Sequence, residues 1–254
     1  MLLAIDCGNT QMLAGVFAGE KLLATWRIST ESRRTEDEYA VIFASLLQNE
    51  GLTLKDVGGL AAASVVPSAL PFLRRFAQKH LQTEPLIIDH KTPAGISLLV
   101  DNPAQVGPDR IVNAVAGFAL YGGPLIVVDF GTATTFDCVS AAGAYLGGAI
   151  APGVDTASEA LFAKAVRISS VEIYRPERAI GRNTEDSLRS GIIWGFAGQV
   201  DGIVAKIKEE LGADAKVVAT GGLAERVAPF SSSIEKTDPF LTLTGLRMIY
   251  DRKC

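Results

Sequence analysis

Two aspartates end short hydrophobic runs in the same way, and they are the residues best suited to phosphate chemistry. Asp6 follows the run Leu2–Ile5, Asp129 follows the run Leu125–Val128, and a glycine stands two residues after each aspartate. A short apolar run bounded by turn residues predicts a buried strand, and glycine lets backbone N–H groups approach an anion. The sequence therefore predicts two strand-to-turn sites of one kind that face one polyphosphate.

The chemistry expected of such sites is phosphoryl transfer. That reaction depends mainly on positioning and charge neutralisation, and an aspartate at a strand end can hold Mg²⁺ directly or through water. In the first turn, Gly8, Asn9 and Thr10 are suited to hold phosphate oxygens. For either copy alone, an ordinary Asp-x-Gly turn is the alternative. Two copies in matched contexts favour phosphate binding.

A third group of residues could supply a base and an anion-binding donor. Gly107-Pro108-Asp109-Arg110 precedes an apolar stretch that predicts a helix from Ile111. Asp109 could act as a general base, and the planar guanidinium of Arg110 suits a carboxylate or a phosphate. The alternative is that Asp109 only stabilises the start of the helix, where acidic residues are favoured.

A third glycine turn follows another predicted strand. Val217–Ala219 runs into Thr220-Gly221-Gly222, where the absence of side chains would let a flat base or a ribose lie against the backbone. Alone, this motif is weak.

The elements that position these residues occur in the same order in both halves of the chain. Three strands come first in each half, and helices alternate with strands afterwards; Thr35-x-x-Glu38 is a capping box that predicts the start of the first helix. The sequence thus predicts an internal repeat of α/β units. The predicted strands are 2–6, 12–17, 21–28, 60–66 and 85–88, then 125–129, 133–139, 143–150 and 216–219, with helices from 35, over 68–81, and from 111, 155 and 185.

Composition and charge exclude several classes of protein. The chain has 254 residues, of which 48% are hydrophobic and 20% charged, and this composition indicates a folded protein. Its formal net charge of −4 argues against a nucleic-acid partner. Cys7, Cys138 and Cys254 are scattered, so neither a disulfide framework nor a zinc site is expected, and a reducing cytoplasm fits. The uncharged stretch 111–128 is broken at Gly122-Gly123-Pro124, so no membrane span is expected.

Four glycines in the long predicted helix lie on one face. They are Gly191, Gly195, Gly198 and Gly202, and each weakens a helix interior by roughly 1 kcal/mol relative to alanine. Close approach of another backbone would offset this loss. That backbone could belong to the same chain or to the second copy in a dimer.

The ordered set of motifs resembles type III pantothenate kinase, and the likeness runs essentially from end to end. The motifs that carry it are Asp6-Cys7-Gly8-Asn9-Thr10, Gly107-Pro108-Asp109-Arg110, Asp129-Phe130-Gly131-Thr132-Ala133-Thr134-Thr135, Gly147-Gly148-Ala149-Ile150-Ala151-Pro152-Gly153, Thr220-Gly221-Gly222 and Leu241-Thr242-Leu243-Thr244-Gly245-Leu246.

The resemblance implies an actin-like ATPase fold made of two ribonuclease-H-like lobes of duplicated topology, expected over 1–115 and 116–254. It implies a cytoplasmic homodimer that phosphorylates pantothenate with ATP to give ADP and 4'-phosphopantothenate in coenzyme A synthesis. Asp109 would be the base on the pantothenate hydroxyl. Asp6 would organise Mg²⁺ and the phosphates, and Asp129 would bind K⁺ or NH₄⁺. The other implied contacts are Gly8, Asn9, Thr10, Gln11, Thr132, Gly221 and Gly222 for ATP, and Gly107, Pro108, Arg110 and Thr184 for pantothenate.

Other functions stay open at the level of sequence. A sugar or acetate-type kinase could share the fold, because a fold does not determine its substrate. An accessory transcription factor is the alternative from another class, although Asp6, Asp109 and Asp129 are all present. One departure from the family pattern is Val100, where many relatives have tyrosine; it would alter the wall of the substrate pocket.

Overall fold

A computed structural model describes residues 1–31, 33–164, 171–212 and 214–253. The chain divides into two compact units, each formed by separate stretches of sequence. The first unit consists of Met1–Ile96, Asp101–Ala116 and Thr242–Cys254, and the second of Ser97–Val100 and Gly117–Leu241.

The first unit is built on a five-stranded mixed sheet. Its strands are β1 (Leu2–Cys7), β2 (Gln11–Ala18), β3 (Lys21–Ser29), β4 (Gly59–Ser64) and β5 (Leu86–Ile87), in the spatial order β3-β2-β1-β4-β5. The first three strands form an antiparallel meander, and β4 and β5 continue the sheet in parallel with β1. The predicted opening of three strands is confirmed.

One face of this sheet is covered by two helices, α1 (Glu36–Asn49) and α2 (Leu70–Phe76). The predicted capping box is present: the N–H of Glu38 donates to Thr35 Oγ1 at 3.3 Å, and the N–H of Thr35 donates to the Glu38 carboxylate at 2.7 Å. The predicted helix 68–81 is confirmed over residues 70–81, where α2 passes into a π-helical turn over Ala77–Leu81. Alternate residues of β1, Leu3, Ile5 and Cys7, pack in this core.

The opposite face of the same sheet receives the C-terminal helix α7 (Leu241–Lys253). A side chain added at Gly15 of β2 would meet Leu243 at 2.7 Å, and Gly59 of β4 lies against the ring of Tyr250. The division therefore differs from the two consecutive segments expected from the sequence, 1–115 and 116–254. The apolar residues of α7 find their buried surface in the first unit, although they are last in the chain.

The second unit contains a six-stranded sheet. Its strands are β6 (Ser97–Leu98), β7 (Leu125–Phe130), β8 (Ala133–Val139), β9 (Ala144–Pro152), β10 (Lys216–Thr220) and β11 (Lys236–Thr237), in the order β11-β10-β7-β8-β9-β6. Residues 97–100 belong to this unit because β6 pairs in parallel with β9. The helices are α4 (Val154–Lys164), α5 (Thr184–Leu211) and α6 (Ala224–Val227), and α3 (Pro108–Tyr121) precedes β7.

The internal repeat is confirmed by topology. β7 pairs antiparallel with β8, β8 pairs antiparallel with β9, and β10 and β11 extend the sheet in parallel, as β1 to β5 do in the first unit. β1 and β7 are both six residues long and share one burial pattern, in which the fifth residue, the aspartate, is half-buried. The two aspartates thus occupy equivalent places.

The glycine face of α5 lies open. Within the described part of the chain, no atom comes within 4 Å of the Cβ position at Gly191, Gly195, Gly198 or Gly202, apart from the helix itself and chain neighbours. The first alternative, close packing inside the same chain, is wrong for the residues described. α5 is long and exposes this side, so no described part of its own fold offsets the weak helix propensity of these glycines.

Candidate active site

Asp6 lies at the end of β1, between two strands of the first unit. It is paired with Leu13 of β2 and Ala63 of β4, and its side chain is half-buried. A carboxylate in this position stays within reach of a ligand beyond the strand end while its backbone is held by the sheet on both sides.

The turn after Asp6 is held closed by hydrogen bonds. The Gly8 N–H donates to the Gln11 carbonyl at 3.0 Å, and Thr30 donates from its hydroxyl to the Gly8 carbonyl at 2.7 Å and from its N–H to the Thr10 carbonyl at 3.0 Å. Asn9, Thr10 and Gln11 are exposed. Sequence reasoning missed Thr30, whose only signal was a hydroxyl residue just after β3.

Cys7 lies behind this turn and not in it. Its side chain is fully buried in the core of the first unit, and burial raises the pKa of the Cys7 thiol. Since the thiolate is the reactive form of cysteine, the thiol is a packing group.

The loop Gly107–Arg110 begins α3 and belongs to the first unit. The Gly107 carbonyl accepts the N–H groups of Arg110 at 3.1 Å and Ile111 at 3.2 Å, and Pro108 is the first helical residue. Asp109 Oδ1 accepts the N–H of Arg110 at 2.9 Å. Asp109 therefore binds a first-turn amide without being the N-cap residue itself.

The environment of Asp109 favours its protonated form more than water does. Burial raises the pKa of the Asp109 carboxyl above its usual range, although the Arg110 N–H and the Arg110 guanidinium oppose this effect. A side chain at position 107 would crowd this carboxylate, because its Cβ would come 2.5 Å from Asp109 Oδ1. A carboxylate with a raised pKa is a stronger base once deprotonated.

Asp129 ends β7 in the second unit and is covered by the third glycine turn. It is paired with Thr135 of β8 and Thr220 of β10. Gly221 has φ +94°, and a side chain there would collide with Asp129 Oδ1 and come 2.7 Å from the Phe130 backbone. The structure thus brings Gly221 directly onto Asp129, and the neighbouring Gly222 is exposed.

Thr132 lies in the turn after Asp129, and its backbone is fixed from behind. The Thr132 carbonyl accepts the Gly153 N–H at 3.1 Å and the Thr156 hydroxyl at 2.7 Å, and the residue itself is exposed. A side chain at Gly153 would collide with the carbonyls of Gly131 and Thr132. Thr156, which starts no motif, was not foreseen from the sequence.

Two further predicted positions lie elsewhere in the second unit. Thr184 is the exposed first residue of α5, whose N-cap Asn183 accepts the Asp186 N–H at 2.8 Å. It makes no described contact with the turns that follow Asp129 and Thr220. Val100 lies against Gly147, with its Cγ1 3.6 Å from the Cβ position there.

The aspartates of the two turns are suited to cations that bind a phosphate ligand at the same time. Among the described residues, no three His, Cys, Asp or Glu side chains lie close enough to hold a metal by themselves. Each unit instead places one half-buried aspartate beside a glycine turn. Hard cations such as Mg²⁺ are commonly bound by one or two carboxylates together with phosphates and water.

Comparison with known proteins gives both a fold and a family. The family model "Type III pantothenate kinase" matches residues 2–206. Type III pantothenate kinases of Moorella thermoacetica and a Geobacillus strain are 50% and 46% identical over 252 residues, covering 99% of this chain and 99% and 98% of theirs. The activator of 2-hydroxyisocaproyl-CoA dehydratase from Clostridium difficile, solved with ADPNP, has a TM-score of 0.61 at 12% identity, covering 99% and 95%. The predicted actin-like ATPase fold of two ribonuclease-H-like lobes is confirmed. No helix in the described ranges could span a membrane.

Proposed function

The chain belongs to the type III pantothenate kinase family and phosphorylates pantothenate with ATP in coenzyme A biosynthesis, and we propose that Asp109 is the general base of this reaction. The observation that carries the proposal is a buried carboxylate with a raised pKa at a helix start, with one oxygen held by the Arg110 N–H. The acceptor oxygen bonds to the γ-phosphorus of ATP as the bond between that phosphorus and ADP breaks, ADP leaves, and Asp109 accepts the hydroxyl proton.

Each unit, taken by itself, has a turn suited to phosphate oxygens. In the first unit, Gly8, Asn9, Thr10 and Gln11 would contact phosphate oxygens, because their turn is closed by Thr30 and faces solvent. In the second unit, Thr132, Gly221 and Gly222 would do the same. Kinases of this fold use ATP with a divalent metal, and Asp6 would hold Mg²⁺ through water and phosphate oxygens.

Asp129 is the proposed ligand of a monovalent cation, K⁺ or NH₄⁺. The support is a single half-buried carboxylate at a strand end, against which the backbone at Gly221 packs too closely to admit a side chain. Such a cation would offset the charge of the carboxylate and of a nearby phosphate. We expect wild-type turnover to rise when K⁺ replaces Na⁺ and Asp129→Asn to lose that response. Turnover that is equal in both salts contradicts the proposal.

Pantothenate carries a carboxylate, which needs a donor. Arg110 follows the base directly, and Gly107 and Pro108 set the loop in which both lie. Thr184 adds an exposed hydroxyl at the start of α5. We propose that these residues bind the acceptor, with Arg110 as the charged partner.

We also propose that the enzyme is a cytoplasmic homodimer that pairs through the open glycine face of α5. An apolar groove of about 310 Å³ between α4 and α5, lined by Leu161, Ile192 and Phe196 among others, adjoins this face. Gly195→Leu should shift the protein to monomer in light scattering, whereas Glu210→Leu on another side of α5 should not. Cys7 and Cys138 are buried and form no disulfide within the described residues, which fits a reducing compartment.

The test of the central proposal compares Asp109→Asn with Asp101→Asn, an exposed aspartate in the preceding segment. Asp109→Asn should lower kcat by roughly 10²- to 10⁴-fold while the affinity for ATP and the circular dichroism spectrum stay unchanged. Asp101→Asn should keep its activity. A fall in kcat of less than ten-fold for Asp109→Asn would show that this residue only stabilises the start of the helix.

A further inference from the structure

Strand β9 presents an apolar strip to solvent. Gly148, Ile150 and Pro152 alternate along one face of the strand and are all exposed, with Ile150 65% accessible. Over these residues β9 has no described neighbour on its outer side, because β6 pairs only with Ala144 and Tyr145. An isoleucine this exposed at a sheet edge has no role in the core of the unit.

The register places Ile150 in the same cross-strand row as Asp129. Ile150 is paired with Thr135, Thr135 with Asp129, and Asp129 with Thr220. Directly paired residues project from the same face of a sheet, and strands lie about 4.8 Å apart, so Ile150 stands about 10 Å from Asp129 on its face. Any ligand that reaches from Asp129 across Thr135 meets Ile150 next.

The internal repeat shows that this isoleucine is not required by the fold. In the first unit the equivalent row runs from Asp6 through Leu13 to Arg27, so the position of Ile150 is taken by an exposed arginine. The same sheet geometry therefore accepts a charged residue two strands from the aspartate. An apolar residue in the second unit points to an apolar group in its ligand.

Pantothenate has such a group next to its reacting atom. The hydroxyl that receives the phosphoryl group stands on a carbon bonded to a quaternary carbon with two methyls. We propose that Ile150 contacts these methyls and is a specificity-determining residue for the acceptor. The proposal rests on the proposed role of Asp129 at the phosphate, since it uses the row that starts there.

The experiment crosses two acceptors with four proteins. The acceptors are pantothenate and its analogue with hydrogens in place of the two methyls. The proteins are the wild type, Ile150→Ala, Ile150→Val and the control Val41→Ala, whose side chain is 71% exposed on α1. For pantothenate, kcat/KM should fall about ten-fold in Ile150→Ala and less in Ile150→Val. For the analogue, all four proteins should have the same kcat/KM.

Each other outcome overturns the proposal. An equal fall with both acceptors would make Ile150 a structural residue of β9, and no fall with pantothenate would remove it from the acceptor site. A shift of Ile150→Ala to a lower mass in light scattering, with equal loss for both acceptors, would assign the strip to an interface between copies. If Ile150→Ala does not fold, Ile150→Val tests the proposal instead. The deciding quantity is then the ratio of its kcat/KM for pantothenate to its kcat/KM for the analogue, compared with the same ratio in the wild type. The K⁺ response of the Ile150 variants tests the role of Asp129 separately.

Discussion

Replacing Asp201 with asparagine should destabilise the protein in a way that depends on pH. Asp201 on α5 is partly buried and accepts four hydrogen bonds from the following loop: the Ser231 hydroxyl at 2.6 Å, the Ser232 N–H at 3.0 Å and hydroxyl at 2.8 Å, and the Ser233 N–H at 3.0 Å. An asparagine keeps one acceptor oxygen but turns an amide donor toward these donors. The serine loop would then lose its anchor on the helix.

The magnitude follows from the pKa of the carboxyl group. Partial burial alone would raise the pKa of Asp201, but the hydrogen bonds from Ser231, Ser232 and Ser233 outweigh it and lower the pKa from 3.8 to about 2. At 1.36 kcal/mol per pKa unit, and with a reduction for solvent screening, this shift corresponds to roughly 2 kcal/mol. Because the folded pKa is lowered, this stability is complete above about pH 4 and is lost as the pH falls through about 2.

Thermal unfolding followed by circular dichroism at pH 7, 4, 3 and 2.5 tests this reasoning. At pH 7 the Tm of Asp201→Asn should be roughly 4 to 8 °C below that of the wild type, and the difference should shrink toward pH 2.5. Asp214→Asn, at a side chain that is 94% exposed, is the control and should follow the wild type at every pH. A Tm difference for Asp201→Asn that does not change with pH refutes the argument.

Three further predictions concern single residues. Among the residues that the structure describes, the hydroxyl of fully buried Thr134 has no hydrogen-bond partner, so Thr134→Val should stabilise the protein by roughly 1 kcal/mol, seen as a higher urea midpoint. A lower midpoint would show that the hydroxyl is used. Gly221→Ala should destabilise the protein by at least about 2 kcal/mol, because φ is strained there and a Cβ would clash with backbone. The control Gly19→Ala, with φ +57° and open space, should lower the free energy of unfolding by only about 1 kcal/mol. Equal losses in urea unfolding would exclude the clash. Because the pKa of Asp109 is raised from 3.8 and a base must be deprotonated, kcat/KM should rise with pH along a limb centred above that ordinary value, measured by ADP release, and Asp109→Asn should lack that limb.

Local sequence was sufficient to predict the helices and strands and the first residue of each site. The capping box at Thr35 and the runs before Asp6 and Asp129 act through residues a few positions apart, so the helix start and both strand ends could be predicted without any knowledge of the rest of the chain. The identity of the acceptor came from the family pattern, because no single spacing encodes pantothenate. Element order was enough to predict the repeat.

Tertiary structure decided what depends on residues far apart in the chain. Thr30 closes the turn of Gly8 from the position just after β3, and α7 joins the first unit because its apolar side matches the free face of that sheet. The row from Asp129 to Ile150 exists only through the register of β7, β8 and β9. Hydrogen-bond pairing between strands sets which side chains share a face, and a shift of one residue would turn Ile150 to the opposite side. For this protein, sequence determined which groups could do the chemistry, and pairing across the sheets determined their neighbours.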